Sequence, residues 1–235
     1  MTSFSEKDLD RLHQAVLEIY PDSVWPTRRE GWPHRADLAL LDAIHSTRQK
    51  YETAVLPKVL EWQRKYPSPP SPELEYLSTI DEVDIQNVFK RNLLPGTWSS
   101  RLKSGKRKSA GVKEVAQLLS SPEVGLGSAL QICSAVERGD SALVLAQLQR
   151  TKGVGPATAN YFLILLGIDG VKVDTLLASW VRTRMGDQTM SGEAINDLVT
   201  RVAAEKFNRD AKELDYAIWR YESVRRASKK RDRNP

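Results

Sequence analysis

Along most of the chain, apolar residues recur three and four positions apart, the spacing that lays side chains on one face of an α-helix. Leu9, Leu12, Val16 and Ile19 follow a Ser5-x-x-Asp8 opening of the kind that caps a helix start. Leu38, Leu41 and Ile44 repeat the pattern, and Ile195, Leu198, Val199 and Val202 form another stripe. Leu214, Ala217, Ile218 and Tyr221 make one more, behind a box of Asp210 and Glu213. Pro156 suits the first position of a helix, where its missing N–H costs nothing, and Ala157 to Leu166 continue as a strongly apolar helix. Asp174 stands before a helix predicted from Thr175 to Arg184 and suits its N-cap. Strand-like alternation is absent, so the pattern predicts an all-α fold. The run from Pro67 to Pro72, PSPPSP, breaks the helices and predicts a stiff surface connection.

Composition narrows the class. At 235 residues and 40% hydrophobic content the chain can bury a real core, as one large domain or two small lobes. No apolar run reaches the roughly 18 residues of a membrane span. Met1 to Tyr20 is polar and amphipathic, so a cytoplasmic protein with no membrane partner is expected. A net charge of +5 favours polyanions modestly, but the charge is concentrated. Arg101, Lys103, Lys106, Arg107 and Lys108 crowd one segment after Pro95-Gly96-Thr97-Trp98, and a second cluster runs from Arg225 to Arg233. The first reads as an exposed loop or helix start able to hold a polyanion, and also as a merely solvated charge run. The single cysteine, Cys133, excludes an internal disulfide and a four-thiolate iron–sulfur cluster. His13, His34 and His45 are scattered, so no zinc set is suggested.

The most informative stretch runs from Gln149 to Arg182. Gly153 and Gly155 flank Val154 between two helix-favouring segments, so the chain can turn tightly and bring its backbone close to a ligand. The free N–H groups of the following helix and its positive dipole end favour an anion. On a basic chain a nucleic-acid phosphate is the obvious one. The plain alternative is that Gly-x-Gly only ends one helix and begins another.

Leu148-Gln149, Gly153-Val154-Gly155, Thr158-Ala159-Asn160-Tyr161-Phe162 and Val173-Asp174-Thr175 together resemble the helix-hairpin-helix (HhH-GPD) DNA glycosylases, the endonuclease III and 3-methyladenine DNA glycosylase II superfamily. The Ala-Asn-Tyr-Phe run is closer to the alkyladenine branch. The resemblance implies a two-lobed helical fold, with residues 37–161 as a central lobe including the hairpin and residues 1–36 plus 162–235 as a second lobe, and with DNA in the cleft between them. It implies a DNA glycosylase that flips a damaged or modified base from duplex DNA and hydrolyses its N-glycosidic bond. Such an enzyme leaves an abasic site, in base excision repair or in defence against phage DNA with modified bases.

By position, Asp174 is then the catalytic carboxylate. Bifunctional relatives carry a lysine two positions past the second hairpin glycine; here that position is Ala157, which implies water as nucleophile and no lyase activity. Phosphate contacts are expected from Lys152, Gly153, Val154, Gly155, Thr158 and Lys172, and from Lys106, Arg107 and Lys108 of the basic loop. Arg48 or Gln49 falls where relatives place a residue that fills the space left by the flipped base. The alkyladenine branch has a stacking aromatic at the position of Ala157. Its absence opens the pocket to a bulkier base, or passes stacking to Trp98, Trp32 or Tyr51.

Backbone carbonyls of Gln149, Thr151 and Val154 match positions that hold K+ or Na+ in similar hairpins; no other cofactor is implied. The expected partner is double-stranded DNA, bound by a monomer. Alkylated purines, deaminated or oxidised bases and phage-modified pyrimidines all stay open as targets. Two other readings stand: a non-catalytic helix-hairpin-helix DNA-binding protein, and a lyase acting through Lys172.

Overall fold

The computed structural model describes residues 4–70, 72–90 and 100–231, the side chains of the last three excepted, so Trp98 lies outside it. Twelve α-helices follow one another among these residues. They are α1 (Glu6–Leu17), α2 (Ala36–His45), α3 (Leu56–Lys65), α4 (Glu73–Thr79), α5 (Glu82–Lys90) and α6 (Lys108–Ser120). Then come α7 (Ala129–Glu137), α8 (Ser141–Gln149), α9 (Pro156–Leu165), α10 (Thr175–Met185), α11 (Gly192–Phe207) and α12 (Ala211–Arg231). A π-turn, Tyr51–Val55, leads into α3. The described residues contain no strand, only one isolated bridge between Arg101 and Arg107, so the protein is all-α. None of these helices is long and apolar enough to cross a membrane.

The chain forms two compact units, residues 30–168 and residues 1–29 with 169–235. The border drawn from the sequence at 161/162 falls inside α9. Phe162, Leu163 and Leu165 of that helix belong to the core of the 30–168 unit, so the helix stays whole there.

Within the 30–168 unit, α2 packs against α3, α4, α6 and α9. All ten of its residues are buried, beyond the single stripe that Leu38, Leu41 and Ile44 suggest. Its polar side chains have partners inside. Asp42 accepts hydrogen bonds from Trp32 Nε1 at 3.0 Å and from the Tyr51 hydroxyl at 2.8 Å. That network makes Trp32, 5% exposed, a core residue, so the expectation that its ring meets a base is corrected, and it ties the partly buried Tyr51 to the packing through its hydroxyl. Arg35 forks onto Asp37 and also donates to the carbonyls of Tyr66 and Pro67, which pins the start of the proline-rich connection.

In the other unit α1 packs on α10 and α11, and α12 packs on both of these. Leu12, Val181, Leu198, Val202 and Ile218 lie at its centre. Ser5 and Asp8 form the capping box that their spacing predicts. The start of α12 is held differently from the expected Asp210–Glu213 box. The Asp169 carboxylate accepts from the N–H groups of Ala211 and Lys212, a partner too distant in sequence for any local pattern to reveal.

Candidate functional site

The turn between α8 and α9 is built by two internal constraints. Thr151 O accepts the Val154 N–H at 3.0 Å, and Gly153 stands at φ +102°, where only glycine is unstrained. Val154 is 5% exposed and anchors the turn in the core. Gly155 caps α9, its carbonyl accepting from Thr158 and Ala159. Two expected contacts are therefore corrected. The Val154 and Thr158 amides are already used inside the turn and their side chains are buried, so neither group faces a ligand. What faces outward is the exposed Lys152 together with the N–H groups of Gly153, Gly155 and Ala157, which have no hydrogen-bond partner among the described residues. Four such donors around a helix start are the chemistry that an anion would require.

The basic loop sits directly on this turn. The Leu102 N–H donates to Lys106 O, the Gly105 N–H donates to Leu102 O, and Gly105 takes φ +88° to close the loop. The Ser104 hydroxyl then donates to Lys152 O at 2.9 Å, so loop and turn are one continuous surface. Arg48, a non-glycine residue at φ +55°, extends its guanidinium to the carbonyl of Arg101 and joins the same surface. Gln49 beside it is half-buried.

The cations of the loop divide sharply. Lys103 is exposed with no partner among the described residues. Lys106 pairs with Glu114, and Arg107 pairs with Glu82 at 3.0 Å while remaining 54% exposed. Lys108 is 0% exposed and donates to His45 O at 3.0 Å and Thr47 O at 2.6 Å, which satisfies carbonyls at the end of α2. Burial, aided by the charge of Arg48, pulls its pKa down to about 7. A phosphate contact from Lys108 is thus ruled out by its position, a correction to the sequence-based expectation.

In the unit formed by both chain ends, Asp174 is half-exposed and caps α10. Its Oδ1 accepts both the Leu176 N–H at 2.7 Å and the Leu177 N–H at 3.0 Å, whereas Oδ2 has no partner among the described residues. Capping uses one oxygen of the carboxylate and leaves the other. Two residues earlier, Lys172 does double duty with its backbone. Its carbonyl accepts the Asp174 N–H at 2.6 Å, and its N–H donates to Asp215 Oδ2 at 2.8 Å.

Asp215, on α12, carries no motif that marks it in the sequence. Its contact lies far away in the chain, and the only local clue is an acidic residue at the margin of the stripe containing Leu214 and Ile218. Burial pushes its pKa up to about 7; the Lys172 N–H opposes this, the charge of Asp174 adds to it, and Lys172 and Arg28 act against it by charge. Tyr216 and Trp219, both half-exposed, stack with ring centroids 5.8 Å apart on the same stretch of helix. Among the described residues, no three histidine, cysteine, aspartate or glutamate side chains gather where a metal ion would be held.

Residues 10–223 match a family model described as a domain of unknown function (DUF8548). No curated protein and no solved structure matches the chain.

Proposed function

The chain belongs to that DUF8548 family, and we propose that it is a monofunctional DNA glycosylase, which flips a damaged or modified base from duplex DNA and hydrolyses the N-glycosidic bond. The observation that carries this reading is Asp174: an aspartate fixed through Oδ1 at the start of α10 while Oδ2 is left without a partner among the described residues. Breaking the bond leaves positive charge on the sugar, and a fixed carboxylate oxygen lowers that barrier electrostatically while orienting the attacking water. The α8–α9 turn, read as a helix-hairpin-helix, supplies the grip. Lys152 and the amides of Gly153, Gly155 and Ala157 hold a phosphate without regard to sequence. Ala157 offers no amine, so water is the nucleophile and an abasic site the product. Arg48, exposed beside the basic loop, is the better placed of the two candidates for filling the space of the extruded base. The product of such a reaction suits base excision repair and equally the removal of modified phage bases.

The carbonyls of Gln149, Thr151 and Val154 are assigned to a K+ or Na+ ion. Thr151 Oγ1, buried in the same turn without a hydrogen-bond partner among the described residues, supports an oxygen-only donor set there, although one lone pair of the Thr151 carbonyl already takes the Val154 N–H. Such an ion would add positive charge beside the phosphate.

One observation favours a second reading, a non-catalytic DNA-binding protein: the Asp174 carboxylate already has a structural task as a helix cap. Asp174→Asn separates the two, because asparagine caps a helix as well as aspartate does. Mass spectrometry of free bases released from a panel of alkylated, deaminated, oxidised and phage-modified duplexes should show release by the wild type. The variant should lose about a hundredfold or more of the rate, with DNA affinity and melting temperature kept. Release of no base by the wild type, with duplex binding intact, would establish the binder instead.

A further inference from the structure

We propose that Asp215 is the proton donor to the departing base, acting beside Asp174 on a substrate whose base is uncharged; this rests on the glycosylase reading and adds a second reacting group to it. The geometry begins at Lys172, whose carbonyl receives the Asp174 N–H and whose own N–H binds Asp215 Oδ2. Both aspartates thus hang from one peptide segment. Because a backbone N–H fills Oδ2, that oxygen is the acceptor half of the carboxyl, and a proton on Asp215 resides on Oδ1, which has no partner among the described residues.

The surroundings of the two carboxyls are unequal. Asp174 Oδ1 takes two helix N–H groups at the positive end of α10. Asp215 takes one, is desolvated, and feels the negative charge of Asp174, which the charges of Lys172 and Arg28 oppose. Its pKa of about 7 keeps a substantial protonated fraction at neutral pH. Carboxyl pairs whose environments push their protonation apart divide the roles of acid and base.

In the step itself the C1′–N bond breaks and its electron pair leaves with the base. A ring nitrogen of that base takes the proton from Asp215 Oδ1, water gives its oxygen to C1′, and the proton released by that water passes to Asp174. Exchange with solvent then returns Asp174 to the carboxylate and Asp215 to the acid. A base that is already cationic, such as an N7-methylated purine, leaves as a neutral molecule without help. An uncharged base such as hypoxanthine leaves as an anion unless it is protonated. The donor therefore matters for one class of base and not for the other.

The test is single-turnover release from duplexes carrying hypoxanthine or 7-methylguanine, with wild type, Asp215→Asn and Asp174→Asn. Asparagine keeps an oxygen for the Lys172 N–H and removes the proton. Asp215→Asn should slow hypoxanthine release about a hundredfold and change 7-methylguanine release less than threefold, whereas Asp174→Asn should abolish both. The wild-type hypoxanthine rate should fall as pH rises through about 7, a limb absent from the variant. Equal slowing of both bases by Asp215→Asn, or wild-type release of 7-methylguanine alone, overturns the proposal and leaves the glycosylase reading standing. Release of neither base by the wild type overturns the proposal as well, whereas the glycosylase reading itself falls only if no base of the wider panel is released. As a check independent of turnover, the Asp215 carboxyl carbon should titrate at lower pH in Asp174→Asn, because a negative neighbour is gone; an unchanged titration would dismiss the coupling.

Discussion

Gly153 and Gly155 stand two positions apart and answer to different forces. At Gly153 the backbone takes φ +102°, and an added Cβ would lie 2.5 Å from Ser104 Oγ and 2.9 Å from Leu102 Cβ. This glycine serves the docking of the basic loop as much as any ligand. At Gly155 the conformation is open to any residue and nothing lies within 4 Å of an added Cβ. Gly153→Ala should therefore lower stability by about 1–3 kcal/mol. Gly155→Ala should leave the melting temperature unchanged or slightly raised and, on the proposed reading, weaken duplex binding, since a methyl group would stand where the phosphate is proposed to approach. Thermal melts and fluorescence anisotropy on the two variants check this; unaltered DNA affinity in Gly155→Ala would remove the turn from the interface. The chain shows both glycines plainly, but their division of labour depends on Ser104 and Leu102, which sequence distance hides.

At the scale of elements, the helices whose stripes are regular were legible because their periodicity is local, and Pro156 and Asp174 mark helix starts by the same local logic. Burial of a polar residue is different, because it is decided by which element docks above it. Lys106 and Lys108 sit in one run of cations, yet the first stays partly exposed and the second, as the opening residue of α6, reaches the carbonyls at the end of α2. Lys108 carries a proton up to its ordinary 10.5 when unfolded but only to about 7 when folded. Between those values the unfolded chain binds more protons, so stability rises with pH there, while below about 7 the full cost of a buried charge is present. Lys108→Met keeps the apolar stem and leaves His45 O and Thr47 O without this donor, a loss of about 1–3 kcal/mol. It should also flatten the gain in stability that the Lys108 shift predicts for the wild type from pH 7 to pH 9. Denaturant midpoints across that range check it, and equal slopes in both proteins would show that Lys108 does not titrate there.

For the whole molecule, a net charge of +5 says that a polyanion is attracted but not where. The sequence shows two basic clusters and cannot separate cations turned to solvent from those spent internally, since that depends on Glu114, Glu82 and the end of α2. Asp215 was invisible for a related reason: its partner is a backbone amide brought near by the packing of α10 against α12. Once the internal pairs are removed, Lys103 and Lys152 remain as exposed lysines without an ion-pair partner among the described residues, on two segments joined by the Ser104–Lys152 hydrogen bond. Each phosphate neutralised releases counterions, so the logarithm of duplex affinity falls linearly with the logarithm of salt concentration, by about 0.9 per contact. Lys103→Ala and Lys152→Ala should each reduce that slope by about 0.9 and lower affinity on any sequence alike. Lys108→Met, buried and facing α2, should leave the slope unchanged. Anisotropy titrations of an undamaged duplex between low and physiological salt measure all three. A slope that ignores Lys103 and Lys152, or one that responds to Lys108, would place the DNA on a different face of the 30–168 unit.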